Sequence, residues 1–325
     1  MIYPWQQSQW QHLQQRIKEK RLAHAFLFCG PEGIGKNDFA NAFRQSLLCL
    51  QPNSDGQACG QCNCCTWSES GAHPDTLHIG LENDAKFITV DQIRSIGHFL
   101  SLKSQEGRHK VIVITPAEQM NVNAANSLLK NIEEPTADTI ILLVTSRPTT
   151  LPATVRSRCQ KVEFPYPDQS LSVEWLRQQL EQPEQAETLL SIAKGAPLRA
   201  LAMTQGGIFE KRSAFFQDIF NLARGKEHPV TVGEKWIKQD IQQNLSWFHS
   251  ALADMIKLNM VETPNAICHS DYYDTLQKCA RRLNLNVLYQ CYGHVEKAQG
   301  LLKANMNPQL IVESILIPWT EINKA

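Results

Sequence analysis

The chain is 325 residues long, with 32 Lys+Arg against 32 Asp+Glu, 42% hydrophobic residues and 10 cysteines. At about 100–200 residues per domain, that length predicts two domains, or three if one is small. A formal net charge of zero argues against a polybasic arm, because nothing supplies the long-range field that binding to nucleic acid or a membrane surface exploits.

Met1-Ile2-Tyr3-Pro4-Trp5 and the Gln-rich stretch after it lack the basic and apolar regions of a signal peptide. No apolar run approaches the ~18 residues of a membrane span, so a cytoplasmic protein is expected. Cysteines in a reducing compartment then point to metal ligation, reactivity or simple burial rather than to disulfides.

An amphipathic helix starts near Ser8, with Trp10, Leu13 and Ile17 on one stripe. A continuously apolar strand follows at Ala25-Phe26-Leu27-Phe28-Cys29, and similar runs recur at 111–114 and 139–144. Such runs suit strands covered on both faces, as in a parallel sheet. Between them a helix is predicted with Asp91 as its N-cap and Ile93, Ile96 and Leu100 on its apolar face. Strand alternating with helix predicts an α/β domain.

Directly after the first strand comes Gly30-Pro31-Glu32-Gly33-Ile34-Gly35-Lys36-Asn37, and then a helical pattern. Strand, glycine loop, lysine and helix form the context in which backbone N–H groups cradle phosphate. The pattern departs from a phosphate loop at Asn37, where Ser or Thr would place a hydroxyl on Mg²⁺. A carboxylate is also missing after the strand at 111–114, which runs into Thr115-Pro116-Ala117-Glu118; Glu118 reads as a solvated first-turn residue. With both direct metal ligands gone, hydrolysis is not expected, whereas Lys36 leaves nucleotide binding open. Gly30, Gly33, Gly35, Lys36 and Asn37 are thus candidates for a degenerate phosphate site.

Cys49, Cys59, Cys62 and Cys65 are spaced C-x9-C-x2-C-x2-C. The Cys-x-x-Cys spacing lets two sulfurs converge on one ion at about 2.3 Å, and four thiolates complete a structural Zn²⁺ site. Cys64 is the extra thiol; adjacent residues point apart, and Cys65 keeps the regular spacing, so Cys65 is the predicted fourth ligand.

After Phe164-Pro165-Tyr166-Pro167 no strand pattern remains. Helices are predicted at 172–180, 183–194 and 197–205, and five more helical patterns from there to the end make a bundle. Before that change stands Thr154-Val155-Arg156-Ser157-Arg158-Cys159, by spacing alone no more than a basic turn.

Ala124-Ala125-Asn126-Ser127-Leu128-Leu129-Lys130-Asn131-Ile132-Glu133-Glu134-Pro135, then Ser157-Arg158-Cys159, together with His73-Pro74-Asp75 and the cysteine spacing, closely resemble the clamp-loader branch of the AAA+ ATPases. The resemblance is clearest over 23–164. It implies an α/β AAA+ domain at 1–165 with a zinc module at 49–65, a small helical lid at 166–206 and an all-α collar at 207–325. It also implies that Arg158 reaches into the ATP site of a neighbouring subunit as a finger in trans.

Some subunits of that branch carry degenerate nucleotide sites, in keeping with Asn37 and Thr115-Pro116. The implied partners are other loader subunits, gamma/tau and delta, the sliding clamp, and primed DNA through the assembled ring. The expected role is loading the clamp in DNA replication as part of a polymerase holoenzyme, since no carboxylate cluster for nucleotidyl transfer is evident. Arginine in Gly195-Ala196-Pro197-Leu198-Arg199 comes one place late for the family's lid sensor, so that role is not carried over. Two other readings compete: an ATP-hydrolysing loader subunit, favoured by Lys36, and a zinc-dependent DNA-binding module, opposed by the lack of Lys or Arg beside the cysteines.

Overall fold

A computed structural model describes residues 1–82, 85–106, 108–261, 264, 267–303 and 306–321. The chain forms two compact units, Met1–Trp175 with Ala196–Arg199, and Leu176–Gly195 with Ala200–Ala325. The segment 166–206 therefore contributes to both.

The first unit is built on a five-stranded parallel sheet. Its strands are β1 (Ala25–Cys29), β2 (Thr76–Ile79), β3 (Lys110–Ile114), β4 (Thr139–Thr145) and β5 (Gln160–Glu163), in the order β2-β3-β4-β1-β5. Phe28 of β1 lies in register with Val144 on one side and Val162 on the other. Because successive residues of a strand point to opposite faces, β1 feeds two cores. Phe26 and Phe28 pack with Trp10 and Leu13 of α1 (Gln7–Lys18) and Phe39 and Phe43 of α2 (Lys36–Leu48). Leu27 and Cys29 face α4 (Val90–Ser101) and α5 (Val122–Glu133) through Ile93, Ile96, Leu128 and Ile132, while α3 (Asn63–Glu69) carries the last two residues of the cysteine segment, Cys64 and Cys65. Burial of each phenylalanine contributes about 1.5–3 kcal/mol, and edge-on ring pairs such as Phe28–Phe39 at 5.5 Å add about 1 kcal/mol.

Two details differ from the sequence expectation. Strand β2 carries no continuous apolar run: as an edge strand it buries Ile79 but leaves Thr76 and Leu77 half-buried and His78 exposed, so no period marks it. Helix α4 is capped by Thr89, not Asp91. The Thr89 hydroxyl accepts from the Gln92 amide while the Gln92 side chain accepts from the Thr89 amide, a reciprocal capping box that leaves Asp91 in the first turn.

After β4, α6 (Ala153–Arg156) precedes β5, and α7 (Gln169–Gln179) leads toward the second unit. That unit contains α8 (Ala186–Ile192), most of α9 (Pro197–Thr204), α10 (Ile208–Ala223), α11 (Pro229–Lys238), α12 (Ile241–Met260), α13 (Tyr273–Arg282), α14 (Leu285–Lys303) and α15 (Pro308–Glu321). Six α-helices thus lie beyond residue 206 among the described residues, against five predicted patterns. Helix α12 is central, burying Leu245, Phe248, Leu252 and Met255. Phe248 meets Trp319 of α15 edge-on at 5.1 Å, and the Trp319 indole donates to the Ile219 carbonyl at 3.0 Å.

Candidate functional site

The glycine loop leaves the carboxyl end of β1, between β4 and β5, on the side of the sheet where parallel α/β folds bind ligands. Gly33 and Gly35 have φ of 76° and 85°, the left-handed region that favours glycine. Each also admits a close neighbour. A Cβ on Gly33 would lie 2.7 Å from the Cβ of Arg199, and one on Gly35 would lie 2.4 Å from the Tyr3 ring. A Cβ on Gly30 would meet the Phe164 carbonyl oxygen at 2.0 Å.

Around this loop is an open cleft of about 480 Å³, lined among others by Lys36, Asn37, Thr115, Glu118 and Ser146. Leu198, not Arg199, is the lid-segment residue on its wall. The groups in the cleft are bonded to one another. The Lys36 ammonium donates to the Pro31 carbonyl at 2.5 Å and to the Ser146 hydroxyl at 3.1 Å. Burial pulls it below the usual lysine range, and the nearby carboxylates of Glu118 and Glu32 act against that. The Asn37 carboxamide oxygen accepts from the Thr115 hydroxyl at 2.9 Å. These are the two positions where a hydrolysing site would place its metal-binding hydroxyl and carboxylate; here they bond to each other.

The N-terminal segment closes the loop from outside. Trp5 and Gln6 donate to the Ile34 carbonyl at 3.0 and 2.9 Å, and Gln6 also to the Gly35 carbonyl at 2.9 Å. The Tyr3 hydroxyl donates to Asp38 at 3.0 Å, and burial together with that carboxylate pushes the phenol up to about 12. None of these contacts is visible in a glycine-loop pattern, because they join the loop to a segment some thirty residues upstream.

Glu118 corrects the sequence reading. It is half-buried in the cleft rather than solvated: one carboxylate oxygen accepts from the Ser146 amide at 3.1 Å, and the other is buried without a partner among the described residues. Spacing gave a weak signal for this, a carboxylate four residues beyond the end of β3, but a proline intervenes.

Cys49, Cys59, Cys62 and Cys65 come together, with their sulfurs all within 4.8 Å of one another. Three of the separations are 3.9 Å (Cys49–Cys62), 3.9 Å (Cys59–Cys65) and 3.5 Å (Cys62–Cys65). Four thiolates at about 2.3 Å from one tetrahedral zinc would be about 3.8 Å apart, so the donor set fits the ion. Amides of Cys59, Gln61 and Cys62 point at the sulfurs of Cys49 or Cys59 at 3.3–3.5 Å, which suits thiolates. Cys64 is 1% exposed and stands outside the cluster, although it sits next to Cys65 on the first turn of α3. Arg108 anchors the start of the segment by donating to the carbonyls of Cys49 and Leu50.

Arg158 lies just past the end of α6 and is exposed. Its Nε pairs with Glu133, the last residue of α5, at 2.6 Å, and its Nη1 donates to the Thr154 carbonyl at 3.0 Å. The two motifs of the resemblance thus touch each other.

A family profile described as "DNA polymerase III, delta subunit" matches residues 5–168, and one described as "DNA polymerase III, delta subunit, C terminal" matches 207–321. The DNA polymerase III subunit delta' of Pseudomonas aeruginosa is 34% identical over 99% of this chain and 98% of its own length. The chain belongs to the DNA polymerase III subunit delta' family. The delta' subunit of Escherichia coli is 27% identical over 97% of this chain and 94% of its own. The tau subunit of Bacillus subtilis is 32% identical over 152 residues, which span 47% of this chain and 26% of tau. The first profile covers nearly all of the parallel-sheet unit, and the second covers the helices from α10 onward.

Proposed function

We propose that this chain is a non-hydrolysing clamp-loader subunit that helps place the sliding clamp on primed DNA and supplies Arg158 to the ATP site of a neighbouring subunit. The observation that carries the non-hydrolysing part is the Asn37–Thr115 hydrogen bond at 2.9 Å. It joins the two positions that would hold Mg²⁺, and Lys36 is spent on the loop's own Pro31 carbonyl. Because a phosphoryl-transfer site works through its metal and positioned charges, losing both metal ligands removes the metal's share in stabilising the transferring group.

The exposure of Arg158 supports a role in trans, since a guanidinium at the surface can meet a phosphate that this chain does not itself bind. The likeness to a tau subunit over 152 residues supports partners of the same build, gamma/tau and delta, in a hetero-oligomeric ring. The four-cysteine module holds Zn²⁺ as a structural staple: a closed set of four thiolates leaves no open position for substrate.

The test is ATP turnover by the purified chain with Lys36→Ala as control, and by the reconstituted loader with Arg158→Ala. No turnover above background is expected for the chain alone, with or without Lys36. Assembly should survive Arg158→Ala while the stimulated ATPase of the complex falls. Robust turnover that Lys36→Ala abolishes would favour a hydrolysing subunit, and an unchanged complex ATPase would remove Arg158 from the reaction.

A further inference from the structure

We infer that Glu133 is the positioning residue for the Arg158 finger, an inference that rests on the reading of Arg158 given above. A lone exposed arginine has rotamer freedom that is lost when it is fixed against a phosphate. Here the cost is met in advance. Glu133 takes the Nε hydrogen at 2.6 Å and the Thr154 carbonyl takes one on Nη1 at 3.0 Å. Nη1 also lies 3.5 Å from the Ser157 hydroxyl, and Nη2 has no partner among the described residues, so the contacts fix the guanidinium plane and leave Nη2 for an anion.

Both anchors stand on helices packed into the core. Glu133 closes a helix whose Ala124, Ala125, Leu128 and Ile132 are buried in the core, and Thr154 lies on α6, which is pinned by buried Val155. The partner charge also matters. A carboxylate on Nε holds the planar guanidinium while Nη2 stays free to donate to a phosphate, a division of fixed donors that the point charge of a lysine does not offer. Arg158 has no alternative carboxylate within ion-pair distance among the described residues, so Glu133→Gln removes the charge that holds Nε and no other carboxylate replaces it.

The experiment is a double-mutant cycle in the reconstituted loader with ATP and primed DNA. The readout is the ATP turnover of the complex, with kcat and KM determined separately and assembly followed by gel filtration; the finger-dependent part is the difference between the unmodified complex and Arg158→Ala. Arg158→Ala should abolish the finger-dependent turnover. Glu133→Gln should lower the kcat of that part about two- to fivefold, the reach of a half-exposed ion pair, with KM and assembly unchanged. In the Arg158→Ala background Glu133→Gln should change nothing.

If Arg158→Ala leaves turnover intact, the finger reading itself fails. If Arg158→Ala acts but Glu133→Gln matches or exceeds the unmodified complex, Glu133 does not position the finger, while the finger stands. An equal loss from Glu133→Gln with and without Arg158 would show a structural effect and would overturn the inference as well.

Discussion

His269 gives the second unit a pH dependence whose sign and size follow from its surroundings. It is fully buried, with Nδ1 accepting from Arg212 Nη2 at 2.9 Å and Nε2 lying 2.8 Å from the Ser250 hydroxyl. Burial, and then the Arg212 cation, push the imidazole down from its ordinary 6.5 to about 3; the Asp271 carboxylate, paired with Arg212, pulls the other way. The folded protein holds His269 neutral where the unfolded chain binds a proton. Stability from this group is therefore complete above pH 6.5 and is lost as pH falls toward 3. At about 1.4 kcal/mol per pH unit, the loss is roughly 2 kcal/mol at pH 5 and approaches 5 kcal/mol near pH 3.

Asp254, which accepts from the His269 amide at 2.8 Å, is itself pushed up by burial and contributes with the opposite sign in its own range. The informative quantity is thus the difference between the natural chain and His269→Gln, which keeps polar atoms but cannot titrate. Urea unfolding followed by tryptophan fluorescence at pH 7, 6 and 5 measures it. The natural chain should lose about 2 kcal/mol more than His269→Gln between pH 7 and 5. Parallel losses in the two proteins would refute the assignment of a buried neutral imidazole.

Zinc content by atomic emission should fall to near zero in Cys59→Ser and stay near one per chain in Cys64→Ser, because only Cys59 belongs to the four-sulfur cluster. Chelation at neutral pH should loosen residues 49–69 to proteolysis while the sheet unit stays folded, since the cores around β1 do not draw on those sulfurs. Trp319→Ala removes a side chain 2% exposed together with its hydrogen bond to Ile219, and should cost about 3–5 kcal/mol in denaturant unfolding of the helical unit.

The parts of the fold with a local signature were legible in the chain. The runs at 25–29, 111–114 and 139–144 read as buried strands because both of their faces are covered, and the glycine loop read as a phosphate cradle because left-handed turns select glycine. The cysteine spacing brought four thiols to one point because short spacings limit where the sulfurs can lie. Edge strand β2 was not legible, since one-sided burial leaves no period in a four-residue strand, and the Thr89 cap was obscured by an equally suitable Asp91 two residues on.

Legible along the chain were the α/β and all-α division, the set of four closely spaced cysteines, and the lack of a hydroxyl at Asn37 and of a carboxylate at Thr115, all matters of residue type and local spacing. Only the tertiary structure decided that Asn37 and Thr115 bond to each other across 78 residues, that Tyr3, Trp5 and Gln6 close the loop, that Glu118 turns into the cleft, and that Glu133 holds Arg158. Each of these is a hydrogen bond or ion pair between groups far apart in the chain. Such contacts have no periodicity and no spacing rule, so they exist only once packing of the cores has set the distances.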